Sequence, residues 1–154
     1  PGRLIAGNAG ILVTSVIYEK DNRSGGGKKF LIADAAMNDL IRPTLYEAHH
    51  AIRPVLEAQA TPLTEADLVG PVCESGDFIA QSRPLPNVAA GDLLAIMSAG
   101  AYGAVQSSTY NTRALVPEVL VKGDRFHVVR PRLSVDDIIG LDRMAPWLTG
   151  AAGD

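Results

Sequence analysis

The chain has 154 residues, of which 47% are hydrophobic, and its formal net charge at pH 7 is -3. This length favours one globular domain with one core, and the weak negative charge argues against nucleic acid or an anionic membrane as a partner. The apolar runs are well short of the roughly 20 residues that cross a bilayer. The single cysteine, Cys73, excludes an internal disulfide, so we expect a soluble protein of the reducing cytoplasm.

The first predicted elements are two strands, over residues 11–18 and 28–34. The first run is rich in β-branched side chains and too short for a stable isolated helix, and the second is apolar in its middle. Residues 21–27 between them include three consecutive glycines, which tolerate positive φ angles. The pattern therefore predicts a β-hairpin with an exposed loop.

The next segment gives weaker local signals. A helical turn is expected over residues 35–40. Pro43 disfavours helical geometry at Arg42, so any helix there should be short. A strand is expected over residues 45–55.

Two further strands are expected over residues 66–73 and 78–82. Residues 74–77 between them combine small and turn-forming side chains, which predicts a tight reversal or a loop. Another apolar strand, over residues 92–97, leads into residues 98–104. The small side chains of that last segment let the backbone approach a ligand closely.

The C-terminal part predicts a second hairpin and a short helix. Residues 114–121 and 125–129 form its strands, joined by Lys122-Gly123-Asp124. Ser134, with Asp137 three residues later, caps a helix that extends to Leu141. Short strands at close spacing, separated by proline and glycine, predict a mainly β fold, a barrel or sandwich with short helices.

The run from Cys73 to Asp77 is the first candidate for chemistry, because it places a thiol beside the carboxylate of Glu74 in a glycine-containing turn. A thiol is mostly protonated at neutral pH, so it can donate a proton, or attack once ionised. The alternative interpretation is a small, buried, apolar cysteine. Residue chemistry alone leaves both interpretations open.

Three other groups could bind an anion. Arg42 and Tyr46, four residues apart, could grip a carboxylate, the arginine through two parallel hydrogen bonds. Arg3 could do the same, and the hydroxyl of Tyr102, among small residues, could reach a phosphate. The alternatives are surface arginines and tyrosines that cover the core.

The histidines give no metal site. His49 and His50 are adjacent, so on a strand they would point to opposite faces and could not chelate one metal together. With one cysteine and no carboxylate at a ligand spacing, we predict no zinc site. His127 lies in a predicted strand and is expected to be structural.

Five sequence blocks, taken together and in order, resemble diaminopimelate decarboxylases. They are Pro1-Gly2-Arg3, Gly7-Asn8-Ala9-Gly10, residues 34–46, residues 70–77 and residues 98–103. The resemblance spans nearly the whole chain. It implies an alanine-racemase-like, fold-type III enzyme with an N-terminal (β/α)8 barrel, expected to be absent from this chain, and a C-terminal β-domain.

The resemblance divides the chain into three expected segments. Residues 1–10 would be the exit from the barrel, residues 11–148 the C-terminal β-domain, and residues 149–154 a tail. Pro1-Gly2-Arg3 matches the end of a family motif whose glutamate would lie just upstream. We therefore expect a truncated or separated chain that is inactive alone.

The resemblance also implies roles for individual residues. Cys73 would be the catalytic acid that protonates the α-carbon after carbon dioxide leaves. The residues expected to bind substrate are Arg3, Arg42, Tyr46, Glu74 and Tyr102. Those expected to bind the cofactor, pyridoxal 5'-phosphate, are Gly2, Arg3 and Tyr102. The lysines match no cofactor-lysine motif, so the covalent lysine is expected outside this chain.

The implied activity is the conversion of meso-2,6-diaminopimelate to L-lysine by a head-to-tail homodimer, in which the Cys-Glu loop reaches the partner's site. Related decarboxylases that act on carboxynorspermidine, ornithine or arginine are the nearest alternatives. Arg42 and the block after Gly70 favour a substrate with a distal carboxylate. From a different class, the chain could be a non-catalytic β-barrel dimerisation module if no barrel half exists.

Overall fold

The computed structural model describes residues 1–57 and 62–148 of the chain. The chain divides into two compact units, residues 1–108 and residues 109–154. Because the second unit is described only to residue 148, the predicted tail at residues 149–154 lies outside the described residues. Within the described ranges, no helix is long and apolar enough to cross a membrane.

The first unit is built on a six-stranded sheet with the order β3-β6-β1-β2-β4-β5. Its strands are β1 (Leu12–Asp21), β2 (Lys29–Ala33), β3 (Ile52–Pro54), β4 (Leu63–Val69), β5 (Phe78–Pro86) and β6 (Leu93–Ile96). The pairs are antiparallel except β2 with β4, which is parallel. The edge strands β3 and β5 contact each other, so the sheet is a nearly closed barrel.

Alternating burial along the strands forms the core of this barrel. In β2 every second residue is buried, as expected when successive side chains point to opposite faces. The largest buried apolar side chains come from several strands and from the turn after β2: Val16, Leu31, Leu40, Leu68, Ile79, Leu85, Leu94 and Ile96. The predicted mainly β class with short helices is therefore confirmed.

The predicted first hairpin is confirmed. β1 and β2 pair antiparallel from Val16 opposite Ala33 to Asp21 opposite Lys29. Gly26, within the loop, has a φ of 77°, a conformation that glycine adopts without steric cost.

The predicted strand over residues 45–55 is wrong over most of its length. Residues Arg42–Tyr46 form a helix, α2, and only Ile52–Pro54 are a strand. Pro43 lies in the first turn of α2, where its missing N–H costs nothing because those amides have no partner within the helix. Pro43 is therefore compatible with the first turn of this helix and does not prevent it.

The other strand predictions differ from the structure at their ends. The predicted strand 66–73 is β4, which starts earlier and ends at Val69, so the loop before β5 begins at Gly70. β5 continues to Pro86, beyond the predicted 78–82. The predicted turn at residues 35–40 is a single turn in which the Leu40 amide donates to the Ala36 carbonyl at 3.2 Å.

The second unit contains the predicted hairpin and helix. β7 (Glu118–Lys122) pairs antiparallel with β8 (Arg125–Arg130), and Gly123 turns with a φ of 62°. β7 begins four residues later than the strand predicted from residue 114, and the helix ends at Ile139, two residues before the predicted Leu141. α3 (Val135–Ile139) starts with a complete capping box, in which Ser134 and Asp137 each bind the other's backbone amide.

Candidate active site

The N-terminal segment is packed closely against the loop that follows β6. The Ala99 amide donates to the Gly10 carbonyl at 2.9 Å, and the Gly100 amide donates to the Gly7 carbonyl at 3.1 Å. A Cβ atom at Gly100 would clash with the Ala6 carbonyl oxygen. Glycine is therefore required here for close approach of two backbones.

This packing determines where Gly2 and Arg3 lie. Both are exposed residues of a short helix, α1 (Gly2–Ala6). The turn after α1 is held by a hydrogen bond of 2.7 Å between the Ser98 hydroxyl and the Asn8 side-chain oxygen. α1 is thus fixed beside the loop that carries Tyr102.

Tyr102 has an unusual backbone conformation, with a φ of 63°. Such a left-handed conformation is strained for a tyrosine, and strained residues cluster at functional sites. Tyr102 is 47% exposed, so the residue is not buried in the core. The guanidinium carbon of Arg42 lies 5.8 Å from the centre of the Tyr102 ring, within range of a cation-π contact.

Arg42, the first residue of α2, also contacts a buried histidine. Its Nη1 lies 3.3 Å from Nε2 of His50, and Nδ1 of His50 lies 2.9 Å from the Met97 carbonyl oxygen. Burial lowers the pKa of His50, and the positive charge of Arg42 acts in the same direction. His50 is therefore neutral at pH 7.

Cys73 and Glu74 lie on the loop between β4 and β5. Both are exposed, so the interpretation of Cys73 as a small buried residue is wrong. Within the loop, the Gly76 amide donates to Oε1 of Glu74 at 3.2 Å. The loop thus presents the thiol and the carboxylate on its surface.

The buried side chain of Asp77 fixes this loop. Asp77 is 4% exposed, and its carboxylate accepts two backbone hydrogen bonds of 2.7 Å, from the amides of Met37 and Val72. A Cβ atom on Gly70 would clash with the same carboxylate, so Gly70 is also required for this arrangement. The loop is held by buried charge-assisted hydrogen bonds.

A second contact joins the loop to α2. The Thr44 hydroxyl donates to the Gly76 carbonyl, and a Cβ atom on Gly76 would lie 2.8 Å from the Thr44 methyl group. This contact connects the loop that carries Cys73 to the helix that carries Arg42.

The predicted site residues therefore divide into two groups. Arg42 and Tyr102 are in contact, and Gly2 and Arg3 lie on a helix fixed beside the Tyr102 loop. Cys73 and Glu74 lie on a separate loop that contacts the α2 helix. Tyr46 lies one turn after Arg42 in α2 and is 59% exposed.

Sequence reasoning missed two side chains that hold this arrangement. The sequence gives His50 no role beyond the rejected metal site, and no local pattern marks it for burial, which arises from its contacts with Arg42 and Met97. Asp77 was included in the Cys-Glu block without a role of its own. An aspartate at the end of a loop, just before a buried strand, is a common acceptor for loop amides.

Two lysines of this unit are held in ion pairs. Nζ of Lys28 lies 3.1 Å from the Asp67 carboxylate, and Nζ of Lys29, which is buried, lies 3.2 Å from the Glu19 carboxylate. These ion pairs connect the start of β2 to β4 and to β1.

The chain is similar to known proteins over most of its length. The family described as "Pyridoxal-dependent decarboxylase, C-terminal sheet domain" matches residues 4–100. Diaminopimelate decarboxylase of Zymomonas mobilis is 49% identical over 148 residues, which are 96% of this chain and 34% of that protein. Diaminopimelate decarboxylase of Pseudomonas aeruginosa is 51% identical over 146 residues, 95% of this chain and 34% of that protein.

A solved structure gives the same result. The crystal structure of diaminopimelate decarboxylase from Helicobacter pylori, complexed with L-lysine, superposes with a TM-score of 0.81 at 41% identity. The match covers 90% of this chain and 33% of that one. The chain thus spans about a third of the length of the curated relatives that it matches.

Proposed function

This chain belongs to the pyridoxal-dependent decarboxylases, as their C-terminal sheet domain, and we propose that it completes the active site of a diaminopimelate decarboxylase. The proposed reaction removes the carboxylate at the D centre of meso-2,6-diaminopimelate and leaves L-lysine. The observation that carries the proposal is the arrangement around α2. Arg42, on this short helix, contacts Tyr102, and the loop that carries Cys73 and Glu74 contacts the same helix through Thr44.

The two ends of the substrate explain why these side chains are needed. Diaminopimelate carries an ammonium and a carboxylate at each end, so an enzyme must recognise the end that does not react. The guanidinium of Arg42 suits the distal carboxylate, and the carboxylate of Glu74 suits the distal ammonium. Arg3 and Tyr46, both exposed, complete the proposed substrate contacts.

The residues at the α1 end fit the phosphate of pyridoxal phosphate. Arg3 offers a guanidinium and Tyr102 a hydroxyl donor, both exposed, on two segments that pack against each other. Gly2 adds backbone without a side chain that would obstruct the anion. When bound, the cofactor supplies the electron sink for carbon dioxide loss. We place its covalent lysine outside this chain, in the barrel half.

The remaining task is proton delivery. After carbon dioxide leaves, the α-carbon needs one proton, and we assign its donation to the thiol of Cys73. The S–H bond breaks, the C–H bond of lysine forms, and the thiolate then regains a proton from water. Fixing the loop through Asp77 and Thr44 supports this role, because proton donation requires a positioned acid.

The proposal includes a second copy of the chain. Cys73 and Glu74 are exposed in this chain, so both side chains are accessible to a site that another polypeptide segment completes. We propose a head-to-tail homodimer in which each site takes its lysine from one subunit and its Cys-Glu loop from the other. The 154-residue chain alone is then inactive.

The experiment that tests this function is a substrate panel with the complete enzyme, meaning this chain together with its barrel half. We expect lysine and carbon dioxide from meso-diaminopimelate. Ornithine, arginine and L-lysine, which lack a distal carboxylate, should react at least about a hundredfold more slowly, since Arg42 would lose the carboxylate that it pairs with. Carboxynorspermidine is included because its skeleton also bears a carboxylate. Preferential turnover of any of these four would refute the proposed substrate.

A further inference from the structure

His50 lies where three elements of the first unit, residues 1–108, meet. It is 1% exposed, and both of its ring nitrogens form hydrogen bonds. Its own backbone carbonyl accepts a hydrogen bond of 2.9 Å from Nη1 of Arg83 in β5. The ring is therefore fixed between α2, the end of β6 and, through its backbone, β5.

The two ring contacts determine which nitrogen carries the proton. The Met97 carbonyl can only accept a hydrogen bond, so Nδ1 of His50 must carry hydrogen. The guanidinium of Arg42 can only donate, so Nε2 must offer its lone pair. Only the neutral Nδ1–H tautomer makes both bonds.

We propose that His50, as this tautomer, is a positioning residue that sets the orientation of the Arg42 guanidinium and thereby the recognition of the substrate's distal carboxylate. The inference rests on the proposed function. The Arg42 guanidinium contacts both Nε2 of His50 and the ring of Tyr102. An arginine held in this way loses less side-chain entropy when it binds a carboxylate.

The charges around His50 favour its neutral form. Burial lowers its pKa most, and Arg42 from α2, His49 from the adjacent position and Arg83 from β5 lower it further. The Met97 carbonyl acts in the opposite direction. If His50 were protonated, Nε2 would become a donor facing another donor, and the contact with Arg42 would be lost.

Two variants of the complete enzyme separate the two bonds of His50. In His50→Asn the amide nitrogen reaches the position of Nδ1, so the bond to Met97 is kept and the acceptor for Arg42 is lost. In His50→Gln the amide oxygen reaches the position of Nε2, so the acceptor is kept. We expect His50→Asn to raise KM for diaminopimelate about tenfold, with a smaller change in kcat, and His50→Gln to raise it less than about threefold.

A double-variant cycle distinguishes positioning from a general structural role. In an Arg42→Ala background, His50→Asn should raise KM no further, because the side chain that it positions is gone. In the wild type KM should also rise as the pH falls and His50 is protonated, whereas His50→Gln should lack that rise. Equal KM effects of His50→Asn and His50→Gln, or additive effects in the cycle, would overturn the inference.

A spectroscopic measurement keeps this test separate from the substrate assignment. The 15N shifts of the histidine ring nitrogens in the labelled enzyme report the tautomer of His50. We expect the Nδ1–H form, with an Nε2 signal that moves in Arg42→Ala. An Nε2–H form refutes the inference even in an active enzyme. If the wild type forms no lysine from diaminopimelate, the proposed function and the substrate role of the pair both fail, and the tautomer still decides whether His50 holds Arg42.

Discussion

Replacing Asp77 by asparagine tests whether the buried carboxylate holds the Cys73 loop. The carboxylate accepts the amides of Met37 and Val72, both at 2.7 Å, from a site that is 4% exposed. Asparagine has nearly the same shape, but one of its two polar atoms is an NH2 group. One of the two amides therefore loses its acceptor and faces a donor.

The size of the effect follows from that lost bond. A buried donor left without an acceptor costs about 1–3 kcal/mol, and more when the lost acceptor is charged. Asp77→Asn should therefore lower the free energy of unfolding by about 2 kcal/mol. Asp77→Ala, which leaves both amides unpaired, should lower it by about 4 kcal/mol.

Hydrogen exchange and thiol chemistry measure the loop directly. The Met37 and Val72 amides should exchange faster in Asp77→Asn. Cys73 is the one cysteine of the chain, so a thiol reagent reports how its loop moves. Asp67→Asn is the control, since Asp67 is also a buried aspartate, and its carboxylate accepts the Ser82 amide and pairs with Lys28 instead of binding this loop's amides. Unchanged exchange at both amides in Asp77→Asn, or an equal change of Cys73 reactivity in the control, would refute the reasoning.

Four further predictions test other parts of the account. In the complete enzyme, Cys73→Ala should keep the absorbance of the bound cofactor and lose about a hundredfold or more in lysine formation, and wild-type turnover would exclude the proton-donor role. Arg42→Ala should raise KM for diaminopimelate by about ten- to a hundredfold and reduce the preference over L-lysine, whereas equal preference in the wild type would contradict its role. Because the pKa of His50 is lowered in the folded protein, the unfolded chain binds more protons near pH 6. The free energy of unfolding should therefore fall as the pH decreases below about 6.5, by at most about 1.4 kcal/mol per pH unit. Urea unfolding of His50→Gln should lack this part of the pH dependence. Gly100→Ala should lower stability and raise the dissociation constant of the cofactor, because the new methyl group would separate α1 from the Tyr102 loop. Absorbance titration measures this constant, and an unchanged value would show that the packing does not hold the phosphate site.

The local sequence predicts the strands well where apolar runs and turn residues agree. The β1–β2 hairpin has β-branched or apolar runs on both sides of a loop with three glycines, and the hairpin at Gly123 has a two-residue turn, so each is predicted from local signals alone. α2 was missed because a proline was interpreted as a helix breaker, although in the first turn it favours a helix. Only its position relative to the helix start, which the sequence does not state, separates the two outcomes.

The site residues, too, are only partly predictable from local sequence. Cys73, Arg42 and Tyr102 were identified through a resemblance, and their residue chemistry alone left the alternatives open. The contacts that join them arise from residues far apart in sequence, such as Thr44 with Gly76 and His50 with Met97. Such long-range pairs form only in the folded chain and leave no local sequence pattern.

The central claim is that this chain delivers its proton donor to a site whose cofactor lysine belongs to another subunit. Subunit complementation tests it most directly: the complete enzyme carrying Cys73→Ala is mixed, with subunit exchange, with a variant that lacks the cofactor lysine. Each variant alone should be inactive. The mixture should regain about a quarter of wild-type lysine formation, because half of the dimers are mixed and each contains one intact site. No recovery from a mixture in which mixed dimers are demonstrated would contradict the claim.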